Sequence, residues 1–515
     1  MNVYEGNILT CDAQDHVYRY LAEDGGKIAY VGDELPAKYA SATRIRLGQR
    51  ALIPAFGDSH IHFASYSAFH AGLNVSDARS NVEILDMIRN FVPGCPDKLI
   101  IAFGASNHSV AEKKFVTRSQ LDEVCPENPL FMVKYDGHTC VVNTKMLEIL
   151  KDKVKGLRGY HEDTGEMNQE AFFAFSDYVS SSLPPVQLIR NMQLGADHLA
   201  TKGIGMIHSV SGVGYIMDMD VDMENWFARG LTTGQQMRVF FQTMDVKKVQ
   251  RRRLPRIGGC FETALDGCFG SADAAMNEPY LGTDDKGILY YSQEKVNEFC
   301  KKANRAGLQI ELHAIGDAAF DQATRALKAA LDDFPRKDHR HTIIHACLPT
   351  EEGIRICADY EIALAIQSAF IDWPNEPNEY LESILGDRAA KLNPFKTYAD
   401  NGIVQALGSD GPCTEPEPLM WIHKACNNGD ESLTVRQALK MATYNTYWMT
   451  FDEKDRGSLE TGKFADMVIL SGNPYETDVT KLDTLRVEQL LLQGKPYQNI
   501  ARNPIGHVLK GMTSR

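Results

Sequence analysis

Through the middle of the chain, short apolar runs alternate with longer stretches whose apolar residues recur at helical spacing, the rhythm of parallel βα units. Eight runs read as strands: Ala51 to Ala55, Gly205 to Val210, Met237 to Thr243, Cys260 to Leu265, Gln309 to His313, Thr342 to Ala346, Ile362 to Gln367 and Ile403 to Gly408. Eight such units predict an α/β protein built on a closed (β/α)8 TIM-type barrel. The gap between the first two runs, about residues 64–200, predicts a large insertion on the first βα loop. Its own apolar runs, Leu99 to Phe103 and Leu130 to Val133, predict a folded subdomain.

Both chain ends have a different texture. Tyr18 to Leu21, Lys27 to Val31 and Thr43 to Leu47 are short β-prone stretches separated by turn residues, as are Asp466 to Leu470 and Val487 to Leu492. Residues 1–52 and 455–515 are expected to pair into one small β-sandwich flanking a barrel of residues 53–454.

Composition narrows the function. A chain of 515 residues with 43% hydrophobic and 24% charged residues has the make-up of a globular protein with a sizeable core. The net charge of −14 argues against a general nucleic-acid surface, and the one basic run, Arg251-Arg252-Arg253, reads as a solvated helix face. No apolar run approaches the roughly 18 residues of a membrane span. The N-terminal residues lack the pattern of a signal peptide, and the eleven cysteines form no CxxC pair, so reduced thiols and a cytoplasmic location are expected. A small-molecule substrate, no nucleic acid, no membrane and, on base rates, a homodimer complete that expectation.

A barrel of this kind carries its chemistry at the carboxyl ends of its strands. His60 and His62 directly follow the first run, and alternate residues of an extended chain share a face. His313 ends the fifth run, His345 the sixth and Asp410 the eighth. Singly, each has a bland reading as a core histidine or a cap. Together, four imidazoles and a carboxylate at strand mouths make a nitrogen/oxygen metal site. Three other residues are candidates: His208 ends the second run near that mouth and could contact substrate or support the ligands, Lys134 in the insertion could neutralise a charged substrate or lie on the surface, and Trp373 after the seventh run could wall the pocket or serve packing.

The pattern resembles the amidohydrolase superfamily, in its amidohydrolase-3 branch. The segments that carry the likeness are Pro54-Ala55-Phe56-Gly57-Asp58-Ser59-His60-Ile61-His62, Asp136-Gly137-His138-Thr139 with Val142-Asn143-Thr144, His313-Ala314-Ile315-Gly316-Asp317-Ala318-Ala319, Leu407-Gly408-Ser409-Asp410, and Gly457 to Asp466. The resemblance implies one metal on His60, His62 and Asp410 and a second on His313 and His345. It implies Asp410 as general base and then acid, and His138 as a carbonyl or oxyanion contact. Where the branch often has a bridging carboxylated lysine, this chain reads Gly259-Cys260-Phe261-Glu262-Thr263-Ala264-Leu265-Asp266-Gly267. Glu262 is therefore expected to bridge two divalent ions, zinc by preference, or else to pair elsewhere and leave one.

The expected activity is hydrolysis of an amide-like C–N bond, as in an N-substituted formamide or another small N-acyl or cyclic amide. Ring deamination is the second reading. By resemblance it wants a glutamate three residues after His313, where this chain has Gly316 followed by Asp317. A catalytically silent binding barrel is the third, and the complete set of histidines argues against it.

Overall fold

The computed structural model describes residues 1–95, 98–137, 139–212, 215–498 and 503–514. Its centre is an eight-stranded parallel sheet of Phe56–Ile61, Ile204–Ser211, Gln236–Phe241, Arg256–Ala264, Gln309–Ala314, Thr342–His345, Ala363–Ile366 and Gln405–Leu407, hydrogen-bonded in that order. They are numbered below as barrel strands 1 to 8. Strand 8 returns to strand 1: Asp410 N donates to His60 O at 2.8 Å and His62 N to Gly411 O at 2.9 Å. The ring closes on the residues expected to carry the chemistry.

Because helices cover the outside and side chains fill the inside, barrel strands are buried on both faces and read as nearly continuous apolar runs. Strand 2 is buried along its whole length, as is strand 5. The helices lay one apolar face on this cylinder. In Gln293–Arg305 that face is Val296, Phe299, Cys300 and Ala303, and Ser292 caps the start by accepting from Lys295 N. Thr350 likewise caps Glu351–Asp359 through Gly353 N.

The first barrel strand differs from expectation. Ala51 to Pro54 end a long strand, Thr43–Pro54, of the terminal sheet, and the barrel strand starts at Phe56. Ala55 separates the two, its N–H taken by Asp466 O. The apolar run marks the outer sheet, while the barrel strand contains the polar Asp58, Ser59 and His60, all fully buried.

The two chain ends meet in one seven-stranded mixed sheet, in which Met467–Leu470 pairs antiparallel with Thr43–Pro54. Its inner face closes on a core of its own, including Tyr4, Ile8, Leu21, Leu52, Met467 and Leu491. The last helix, Pro504–Thr513, leaves this sheet and packs against barrel helix Met219–Gly230. The insertion is folded around a six-stranded sheet, with Leu130–Lys134 between Thr139–Val142 and Ile100–Ala105, and apolar clusters on both faces. No described helix is long and apolar enough to cross a membrane, and no disulfide joins the cysteines.

Candidate metal centre

Closure of the ring sets Asp410 against the histidines of strand 1. Its Oδ1 lies 3.2 Å from His60 Nε2 and 3.3 Å from His62 Nε2. Neither approach has hydrogen-bond geometry, and Asp410 Oδ1 and His60 Nδ1 are buried without a hydrogen-bond partner among the described residues. His345 stands edge-on to both His60 and His313, with ring centroids 5.6 and 4.6 Å away. The structure thus brings His60, His62, His313, His345 and Asp410 to one place at the carboxyl ends of strands 1, 5, 6 and 8.

Buried polar neighbours stand beside His60, His345 and His313. Asp58 takes Ser409 N at 2.9 Å, Ser409 Oγ at 2.6 Å and His60 N at 3.2 Å, tying the strand 1 and strand 8 segments together. Burial pushes its carboxyl up to about 7. Gln367 Oε1 accepts from His345 Nδ1 at 2.6 Å, which fixes the ring and leaves Nε2 as a lone-pair donor. Asp266 accepts from the amides of Ala275, Ile315 and Gly316 and lies 3.4 Å from His313 Nδ1. Sequence reasoning passed over all three, although each stands beside or closes one of the motifs.

Electrostatics favour neutral imidazoles at His60 and His345 and a charged carboxylate at Asp410. Burial depresses His60 and, more strongly, His345. For Asp410 burial opposes ionisation, but the imidazoles of His60, His62 and His345 outweigh it and hold the carboxyl well below its usual range. Neutral nitrogens and an ionised carboxylate are the donors a borderline divalent cation takes. Donors about 2.1 Å from a tetrahedral ion stand about 3.4 Å apart, the spacing seen here. The residues present fit a divalent cation.

Glu262 does not join them. Its carboxylate points outward, accepting from Thr243 Oγ1 at 2.7 Å and Met244 N at 3.2 Å. The cause is a break in strand alternation: Phe261 adopts a left-handed backbone with φ of 48°, inside a register shift between Gly259 and Ala264. Cys260, two residues earlier, faces inward instead, with its Sγ 3.6 Å from His60 Nε2.

The remaining expectations divide. His208 is buried inside strand 2: its Nε2 meets Thr450 Oγ1 at 3.1 Å, and burial drives its pKa well down. That is a satisfied core histidine. Lys134 is buried rather than superficial, its ammonium bound to Asp136 at 2.6 Å and to Gly270 O at 3.4 Å. Asp136 keeps Lys134 charged against the pull of burial. Trp373 stacks on Phe370, whose ring lies 5.8 Å from that of His345, and meets Tyr135 edge-on. These aromatics form a wall from the histidines to the insertion. His138 lies outside the described residues. The deaminase-side candidate Asp317 accepts from Asn277 N at 2.8 Å.

The family sequence profile described as "Amidohydrolase family" matches residues 45–498. The chain belongs to the amidohydrolase family. Among relatives of this amidohydrolase, YtcJ of Bacillus subtilis (strain 168) is 26% identical across 90% of this chain and 92% of its own. The N-substituted formamide deformylase of Arthrobacter pascens is 24% identical across 96% of this chain and 97% of its own. The fold is that of an uncharacterized metal-dependent hydrolase from Pyrococcus furiosus, at a TM-score of 0.73 and 22% identity, covering 92% of this chain and all of that one.

Proposed function

We propose that this amidohydrolase cleaves an amide-like C–N bond in a small molecule, an N-substituted formamide or a related N-acyl or cyclic amide. The observation that carries the reading is the convergence of four imidazoles on the Asp410 carboxylate at the closure of the barrel. His60, His62, His313, His345 and Asp410 would hold the divalent cation, zinc by preference. When bound, that cation supplies Lewis-acid chemistry, acidifying water and polarising a carbonyl.

The chain's own residues supply the rest. A carboxylate oxygen of Asp410 takes the proton of the attacking water and passes it to the departing nitrogen, so that acid and amine leave together. Gln367 fixes the His345 ring by a hydrogen bond, and the Asp266 carboxylate lies beside His313 Nδ1. Phe370 and Trp373 offer an apolar flank for the substituent on the amide. Full-length similarity to a formamide deformylase supports the substrate class. Gly316 brings no carboxylate after His313, and Asp317 is spent on Asn277 N, which weighs against ring protonation in a deaminase.

The test is a panel of N-formyl, N-acyl, cyclic amide and aminopyrimidine compounds, assayed for amine, acid and ammonia. Amine and acid from an amide are expected; ammonia from a ring amine alone refutes the reading. Asp410→Asn should lower turnover by roughly 100- to 10,000-fold with circular dichroism unchanged. Full activity in that variant would remove the proton-transfer role.

A further inference from the structure

We infer that Cys260 is a metal ligand of this centre and the group that joins its two halves, the position expected of Glu262. The inference rests on the metal reading above and adds a sulfur donor to it. The ligand atoms of His60, His62 and Cys260 all lie within 4.8 Å of one another, and so do those of Cys260, His313 and His345. Cys260 is the member common to these two triads; a third, His60, His345 and Asp410, meets the same limit and links the two sides through Asp410. A zinc-like ion with a sulfur at about 2.3 Å and a nitrogen at about 2.05 Å holds those atoms about 3.6 Å apart in tetrahedral array. The Sγ to His60 Nε2 distance is 3.6 Å.

The backbone prepares this placement. Gln242 Oε1 accepts from Cys260 N at 3.0 Å, which anchors the residue at the mouth of strand 4. One residue later the left-handed Phe261 reverses the side-chain alternation, so Cys260 faces in while Glu262 faces out to Thr243 and Met244. A bridging lysine or glutamate is thereby replaced by a shorter donor two positions earlier. Cation binding would displace the thiol proton to solvent and leave a thiolate, which has three lone pairs and so donor capacity for the ligand sets on both sides. A thiolate among imidazoles favours zinc, cobalt or ferrous iron over magnesium, calcium or manganese.

Full-length protein, stripped with a chelator under reducing conditions and titrated with Co2+, tests this by absorption. The expected wild-type spectrum has visible ligand-field bands and a near-ultraviolet thiolate-to-cobalt charge-transfer band. Cys260→Ser should lose the charge-transfer band and keep the ligand-field bands. Cys413→Ser, which removes another thiol near Asp410, and Glu262→Gln should keep both. Ligand-field bands with no charge-transfer band in wild type, or an unchanged band in Cys260→Ser, overturn the thiolate ligand and leave the histidine site standing. No cobalt spectrum at all overturns both. X-ray absorption fine structure on the zinc-loaded wild type needs no variant: sulfur scattering at about 2.3 Å supports the inference, and a shell of nitrogen and oxygen alone refutes it.

Discussion

Glu224 is a carboxyl with nowhere to put a charge. It is fully buried on helix Met219–Gly230, accepts from Ser209 Oγ at 2.5 Å, and lies near Asp220. Burial, with the charge of Asp220 adding to it, pushes its pKa up to about 8. The folded protein therefore keeps a proton that the unfolded chain loses near pH 4.3, its ordinary value of about 4.3 being set by water. Its support for the fold is complete below that pH and is lost as the pH rises through about 8. Glu224→Gln should flatten the fall of melting temperature between about pH 5 and 8 and melt higher than wild type at the upper end. Superimposable melting-temperature profiles would contradict this. At the same scale, His60, His62, His313, His345 and Asp410 were legible in the sequence because each closes an apolar run. Cys260 was not, because choosing between it and Glu262 requires knowing where strand alternation fails. An aromatic residue at φ of 48° is an outlier that no local composition announces. His208 differs, because it lies inside barrel strand 2, which runs on to Ser211, and its partner, Thr450, lies 242 residues away.

Among the elements, seven barrel strands were readable from the apolar runs that double coverage by helices imposes. The first was displaced, because its Asp58, Ser59 and His60 are buried through Ser409 and the ligand cluster rather than through apolarity. Barrel strand 4 is the most sharply shaped. Gly258 has φ of 110°, and a Cβ added there would lie 1.9 Å from Glu311 O in strand 5. Gly258→Ala should cost more than about 2 kcal/mol in denaturant unfolding, because backbone on both sides must move. A loss within about 0.5 kcal/mol, ordinary for a surface change, would show that strand 4 is less constrained than described.

The whole molecule is tied at its ends. The first and last strands share one sheet, so the barrel between them is clasped by residues more than 400 positions apart, such as Ile53 and Val468. The texture of the termini foretold that sheet, but not the last helix, whose docking depends on two glycines. A Cβ on Gly511 would lie 1.8 Å from Trp226 O, and one on Gly230 would lie 1.7 Å from His507 O. Gly511→Leu should unseat Pro504–Thr513 and make the C-terminus an early site of limited proteolysis, with the barrel intact by circular dichroism. Unchanged cleavage kinetics would mean that the helix tolerates a wider separation.

The central claim, that the barrel mouth is a metal centre, is tested most directly by metal content. Chelator-stripped protein is given zinc, passed through a desalting column and analysed by elemental mass spectrometry, beside a variant carrying His313→Ala and His345→Ala. The account predicts about one or two zinc ions retained per wild-type chain and fewer in the variant. Wild-type protein that retains none, or a variant that retains as much as wild type, would contradict it.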